Sequence, residues 1–194
     1  LGASWVAKWE KQDNLSRIIT HPGQEYPLRQ QLIQTTWVHA FDVRLALRQG
    51  HFNALAEYAL KGQDPSFDNG YTYGLGSALL VSTSYSRRGL SALLQAKRAE
   101  NMNFRSQRSG SLSPSMLNHL PPFTPQPTYA LTTLYPYATQ SVPGEWAFQG
   151  EVSYTLPKRS ALGGRYGTTL KGHASQIFSL GLESVATANP LAGT

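Results

Sequence analysis

The chain has 194 residues, no cysteine, and a formal net charge of +6 from 17 basic and 11 acidic side chains. Charged residues reach only 14%, where a soluble domain ordinarily carries about 25%. The absence of cysteine excludes a disulfide scaffold, a thiol nucleophile and a cysteine metal site. The absence of apolar runs of about 20 residues excludes a helical membrane protein, and an aromatic share of 11% argues against disorder.

Period-two alternation dominates from the first residues and predicts strands, because strict alternation sorts side chains onto two faces of a pleated sheet. Over 2–11, Ala3, Trp5, Ala7 and Trp9 share one face, against Ser4, Lys8 and Glu10, with Val6 interrupting the polar set. Over 37–48, Phe41, Val43, Leu45 and Leu47 oppose Asp42, Arg44 and Arg48. Over 51–61, Phe52, Ala54, Ala56, Tyr58 and Leu60 oppose Asn53, Glu57 and Lys61. Over 72–86, Tyr73, Leu75, Leu79, Val81 and Tyr85 oppose Ser82, Ser84 and Ser86. Over 90–99, Leu90, Ala92, Leu94 and Ala96 oppose Ser91, Gln95 and Lys97. Over 145–156, Trp146, Phe148, Val152, Tyr154 and Leu156 alternate with Gln149, Glu151, Ser153 and Thr155. Over 165–180, Tyr166, Leu170, Ala174, Phe178 and Leu180 alternate with Thr169, Lys171, His173, Ser175 and Ser179. Segments 52–60 and 90–98 also read as short amphipathic helices; Gly50 and Gly89, placed where hairpin turns need them, favour strands.

The connections alternate in length. Gln49-Gly50, Arg87-Arg88-Gly89 and the segment 157–164 are short, whereas 12–35, 62–71 and 105–144 are long. The last is uncharged from Ser109 to Gly144 and holds seven of the twelve prolines, which forbids a spanning helix and favours an extended loop with at most a short strand over Tyr129–Thr139.

Strand length and loop alternation together predict an all-β fold. It is an antiparallel up-and-down meander forming a fragment of a transmembrane β-barrel, with residues 1–194 as one partial barrel. A tilted strand crosses an outer membrane in about 9–11 residues, and such barrels have short turns at one rim and long loops at the other. The expected membrane-interface aromatics are Trp5, Trp9, Tyr73, Tyr85, Trp146, Tyr154, Tyr166 and Phe178. Tyr73 and Tyr85, like Tyr166 and Phe178, are twelve residues apart, roughly 30 Å along the membrane normal at about 3.3 Å per residue and about 40° tilt. Arg98 continues an apolar face and must lie near the long-loop rim and snorkel, or follow a bulge. The expected lumen-facing residues are Arg44, Arg48, Glu57, Lys61, Lys97, Glu151, Lys171 and His173. In an open barrel such charges tune selectivity; in a narrow or plugged one they pair across strands, and pairing is the favoured reading.

One stretch adds a resemblance. Tyr135-Pro136-Tyr137-Ala138-Thr139-Gln140, then Gly144-Glu145 with Phe148-Gln149, Tyr154, and Leu162-Gly163-Gly164-Arg165-Tyr166-Gly167-Thr168 resemble an uncharacterised family of Bacteroidota outer-membrane β-barrel proteins. The resemblance covers about a quarter of the chain. It implies a cell outer membrane address, a barrel of several hundred residues, and no known enzymatic activity; it carries over no catalytic or binding residues. The alternating opening at Leu1 and the loop-like end likewise read as an internal fragment.

Other motifs carry less. Gly163-Gly164-Arg165-Tyr166-Gly167 lacks the following helix that a phosphate cradle needs. His173 and Ser175 share a face but stand about 7 Å apart on a strand, too far for direct activation. The histidines, 21, 39, 51, 119 and 173, form no local metal motif, and Asn14-Leu15-Ser16 is a common triplet. No catalytic residue, metal site or cofactor is expected. The basic residues are scattered, so nucleic acid is not an expected partner. The expected partners are outer-membrane lipid, the remaining strands of the same barrel, and a glycan or protein at the long loops. The competing expectation is a soluble, secreted all-β module recognising glycan or protein.

Overall fold

A computed structural model describes residues 1–11, 16–19, 28–31, 35–108, 116–118 and 144–180. Among them, nine strands follow in chain order: β1 Gly2–Trp9, β2 Ser16–Ile19, β3 Leu28–Gln31, β4 Trp37–Gln49, β5 Phe52–Lys61, β6 Gly76–Arg87, β7 Leu90–Glu100, β8 Glu145–Leu156 and β9 Thr168–Ser179. The described residues are all-β apart from one 3-10 turn, Phe67–Asn69. Seven strands form a single antiparallel sheet in the order β1-β4-β5-β6-β7-β8-β9, an up-and-down meander, while β2 and β3 pair with each other. Over the described residues the sheet is open, with β1 and β9 at its edges.

The two segments that also read as helices are β5 and β7. The deciding chemistry is in the turns. Gln49 pairs with Phe52 and Arg87 with Leu90, leaving two-residue loops in which Gly50 (φ +56°) and Gly89 (φ +79°) adopt the left-handed conformation that tight hairpins require. The third short connection, Pro157–Gly167, is a compact loop in which the Ser160 hydroxyl donates to the Pro157 carbonyl at 2.7 Å and accepts from the Gly163 N–H at 3.0 Å. The glycine-rich motif is therefore a hairpin end, followed by a strand.

Some boundaries differ from those read in the sequence. β6 starts at Gly76 rather than 72, β9 at Thr168 rather than 165, and β1 ends at Trp9. The long connection 12–35 contains the β2–β3 hairpin, whose four-residue strands are too short to display alternation. The candidate strand Tyr129–Thr139, the Asn14 triplet, His21, His119, the Tyr135–Gln140 motif and most of loop 105–144 lie outside the described residues.

Burial is inverted relative to a water-soluble sheet. Continuous registers place Trp5, Phe41, Val43, Leu45, Tyr58, Val81, Leu94, Phe148, Val152 and Leu170 on one face, and this face is bare: Trp5 is 62% and Leu94 64% exposed. On the sheet strands its charged residues, Arg87, Arg98 and Glu100, stand within two residues of a strand end. The buried apolar residues lie elsewhere. Val38, Ala99 and Ala147 are on the opposite, polar face, and Met102 and Phe104 come from the chain that folds over it. What core the described residues have is thus built on the polar side.

Candidate functional site

The polar face is lined by cross-strand rows. Arg48, Asn53, Ser84, Leu93, Glu151 and His173 stand opposite one another from β4 to β9. Arg48 Nε donates to Asn53 Oδ1 at 3.0 Å, and in the neighbouring row Gln95 Nε2 donates to Ser82 Oγ at 3.1 Å. All eight expected lumen residues share this face. Arg44 binds Asp42 at 3.0 Å and the Ser4 hydroxyl. Lys97 meets Glu145 at 2.6 Å with both side chains nearly inaccessible. Lys61 Nζ donates to the Asn103 carbonyl at 2.6 Å. Lys171 pairs in register with Ser153, and His173 with Glu151. No ion pair or hydrogen bond joins the Glu57 side chain to another described residue, although Arg44 is its direct cross-strand partner.

At the rim carrying the long connections, residues 62–75, 101–108 and 116–118 fold over this face. An ionic cluster fastens them. Lys8 Nζ donates to Asp64 Oδ2 at 2.8 Å and to the Arg105 carbonyl at 2.9 Å, and it stands 5.4 Å from the Phe104 ring centre. Arg108 Nε donates to Asp64 Oδ1 at 3.2 Å and lies 3.6 Å from Glu10 Oε2, its backbone N–H donates to Glu10 Oε1 at 2.9 Å, and its guanidinium reaches the Thr35 carbonyl. Arg105 pairs with Asp68. Two asparagines set the loop shapes. Asn69 Nδ2 donates to the Asp64 carbonyl and to Asn101 Oδ1, each at 2.9 Å. Asn118 accepts the Phe104 N–H at 3.0 Å and donates to the Met102 carbonyl at 2.6 Å. A charge in low dielectric persists only when paired and hydrogen-bonded, so this cluster defines where the cap sits.

Beneath the cap is a cavity of about 410 Å³, with Ala40, Ala59 and Ala78 in its floor, Phe104 and Leu117 in its roof, and Asp42 and Glu57 at its polar margin. Small-molecule sites fall in the range of about 300–1,000 Å³.

Sequence reasoning placed the eight expected lumen residues on one face but missed Asp64, Asp68, Asn69, Asn101, Arg105 and Arg108. The available signal was the Asp64-Pro65-Ser66-Phe67-Asp68-Asn69 run, whose residue types build side-chain-to-backbone turns. Their ion-pair partners lie up to 98 residues away, a separation no local pattern reports. His173 and Ser175 share a face, but no hydrogen bond joins them.

On the bare face, Trp5, Trp9, Trp146 and Phe178 lie toward the long-loop rim, where Trp5, His39, Phe41 and Trp37 form a stacked ladder with centroid spacings of 5.8–6.4 Å. Phe52, Tyr85 and Tyr154 lie toward the short-turn rim. Tyr73 and Tyr166 fall outside the strands, just before β6 and β9, so the expected twelve-residue pairs do not run within single strands. Trp146 and Tyr154 on β8 still separate the two bands by roughly 20 Å along a tilted strand. Arg98 lies two residues before the long-loop end of β7 in an unbroken ladder, bound to Glu100 at 2.5 Å and the Ser77 hydroxyl at 3.0 Å. Rim placement, not a bulge, accommodates it.

A family of unknown function, DUF6029, matches residues 1–191. The chain belongs to the DUF6029 family. No curated protein and no solved structure matches it.

Proposed function

We propose that this DUF6029 chain forms part of a transmembrane β-barrel of the cell outer membrane, with the bare apolar face toward lipid and the polar face toward the lumen. The observation that carries the reading is the inversion of burial. Apolar side chains are exposed on one face of all seven strands, with charges on that face only near strand ends, while charged side chains such as Lys97 and Glu145 are buried on the other face. Burying apolar surface is the dominant favourable term in folding, so a sheet that bares it needs an apolar surrounding. Three features support lipid as that surrounding: two bands of rim aromatics, short turns at one rim with long connections at the other, and the resemblance to Bacteroidota outer-membrane barrels. In lipid every backbone polar group must be paired. The open edges of β1 and β9 therefore call for further strands of the same barrel.

The role is non-enzymatic. The cap and its ion pairs favour a plugged lumen, with charges paired, over an open selective pore. Loop 105–144, uncharged over most of its length and rich in proline and tyrosine, is the element suited to a glycan or protein at the surface, since rigid scaffolds present binding residues on loops. Fractionation of cells producing the full-length protein tests the reading. Recovery in the outer-membrane fraction, with extraction only by detergent, is the expected result. A folded monomer in buffer without detergent would overturn it in favour of the soluble all-β module, in which a second layer covers the same side chains.

A further inference from the structure

We infer that the rim carrying the short turns is a basic surface that binds the phosphate headgroups of anionic phospholipid in the leaflet it faces. The inference rests on the barrel reading and adds to it the class of lipid.

The argument starts from unmatched charge. Among the described residues, the three short turns and the strand ends that enter them carry Arg48, Arg87, Arg88, Lys158, Arg159 and Arg165 and no carboxylate. All of these cations are exposed. On β5 and β8 the first carboxylates met going inward are Glu57 and Glu151, each five residues from the strand end at Phe52 or Leu156. That is roughly 16 Å along a strand, about twice the Debye length at physiological ionic strength, so they do not neutralise the rim. The long-loop rim differs. There Lys8 pairs with Asp64, Lys97 with Glu145, Arg98 with Glu100 and Arg105 with Asp68.

Backbone geometry gathers the turns. The Ser86 N–H donates to the His51 carbonyl at 2.9 Å, joining the first turn to the second. The Thr155 N–H donates to the Gly89 carbonyl at 2.7 Å, joining the second turn to the strand that feeds the third. The cations therefore stand along one edge of one sheet. Phosphate is the matching chemistry, because a guanidinium presents a planar fork of donors and no acceptor, and an ionised phosphodiester only accepts. The apolar neighbours say which phosphate. Arg87 lies on the bare face, in the row Arg87, Leu90, Tyr154 and Leu170, two residues along β6 from Tyr85. In the loop beyond β8, Leu162 and Tyr166 are 77% and 78% exposed, and the Arg165 guanidinium lies 5.6 Å from the Tyr166 ring centre. Cations set among tyrosines at the edge of an apolar band suit the headgroup level of a bilayer, where aromatic rings sit at the boundary and long cationic side chains reach outward to phosphate. An acidic protein or wall polymer beyond the bilayer gives no reason for a cation on the bare face or for an exposed leucine in the basic loop.

The test is electron paramagnetic resonance of the full-length protein reconstituted in phosphatidylcholine bilayers, with trace spin-labelled phosphatidylglycerol or spin-labelled phosphatidylcholine as the probe. Lipid held at the protein surface gives a motionally restricted signal. That signal is expected to be about twofold or more larger for phosphatidylglycerol, since each Lys or Arg near an anionic surface is worth about fivefold locally and the rim is only part of the lipid contact. The preference should shrink in about 1 M salt, where the Debye length is about 3 Å. The triple variant Arg87→Gln, Arg88→Gln, Lys158→Gln should remove at least half of it, with heat-modifiable mobility retained. Arg44→Gln, on the polar face, should keep it. Equal signals for the two lipids in the unmodified protein, the result an acidic partner beyond the bilayer predicts, would overturn the inference and leave the barrel standing. A preference that survives the triple variant unchanged, or falls as far in Arg44→Gln, would overturn it too. No restricted signal from either lipid would overturn the barrel reading and the inference with it. The comparison of lipids uses the unmodified protein, so it decides even where a variant fails to fold.

Discussion

Lys97 and Glu145 meet at 2.6 Å with side chains 2% and 3% exposed. At that burial the pair is held by the mutual cancellation of two desolvated charges, and removing one member strands the other. Glu145→Gln is expected to cost about 3–5 kcal/mol, whereas replacing both members, Lys97→Met with Glu145→Leu, should recover most of the loss. Urea unfolding followed by tryptophan fluorescence reads both; equal losses in the single and double variants would show that the pair does not act as a unit. A second contrast concerns backbone space. A Cβ on Gly163 would lie 2.0 Å from the Pro157 carbonyl oxygen, while Gly164, with φ +60°, has open space around the same position. Gly164→Ala should therefore cost only the left-handed penalty of about 1–2 kcal/mol. Gly163→Ala should cost more, because the loop itself has to move. The same unfolding curves rank the two.

At the scale of strands, the sequence was legible because alternation is a local property. The faces of all seven sheet strands, including those of β5 and β7, follow from which side chains alternate, and Gly50 and Gly89 mark their hairpins. Legibility ended where the partner is remote. Nothing near Asp64 announces that it bridges Lys8 and Arg108, and Tyr73 and Tyr166 continue an alternation that the backbone has already left. Adjacent residues on β6 turn the face assignment into a measurement. Val81 points to the bare face between Ala56 and Ala96, and Ser82 to the polar face between Leu55 and Gln95. In lipid, Val81→Arg should destabilise by about 2–4 kcal/mol, the depth-dependent cost of a cation against hydrocarbon, while Ser82→Arg should be tolerated. Folding into vesicles, scored by heat-modifiable gel mobility, separates them. Comparable loss in both variants would mean that the bare face does not meet lipid.

For the whole molecule, the distinction between a pore and a plug rests on how the cap is held. Asp64 accepts from both Lys8, on β1, and Arg108, beyond β7, so one carboxylate ties the first strand of the sheet to the chain that crosses its polar face. Its side chain is 1% exposed, so salt screens these contacts far less than it screens surface pairs, and the cap should remain closed at ordinary ionic strength. The full-length protein in a planar bilayer is therefore expected to conduct little, with rare openings. Asp64→Ala leaves two buried cations without their shared partner, a penalty of about 3–5 kcal/mol borne by the capped state. Since each 1.4 kcal/mol is about tenfold in an equilibrium, that shifts the balance between capped and uncapped forms by roughly a hundredfold or more. The variant should show frequent openings, provided the sheet itself, whose ladders do not involve Asp64, stays folded; retained heat-modifiable mobility checks that condition. Large steady conductance in the unmodified protein, or a folded Asp64→Ala variant that stays silent, would show that residues 101–108 do not close the lumen.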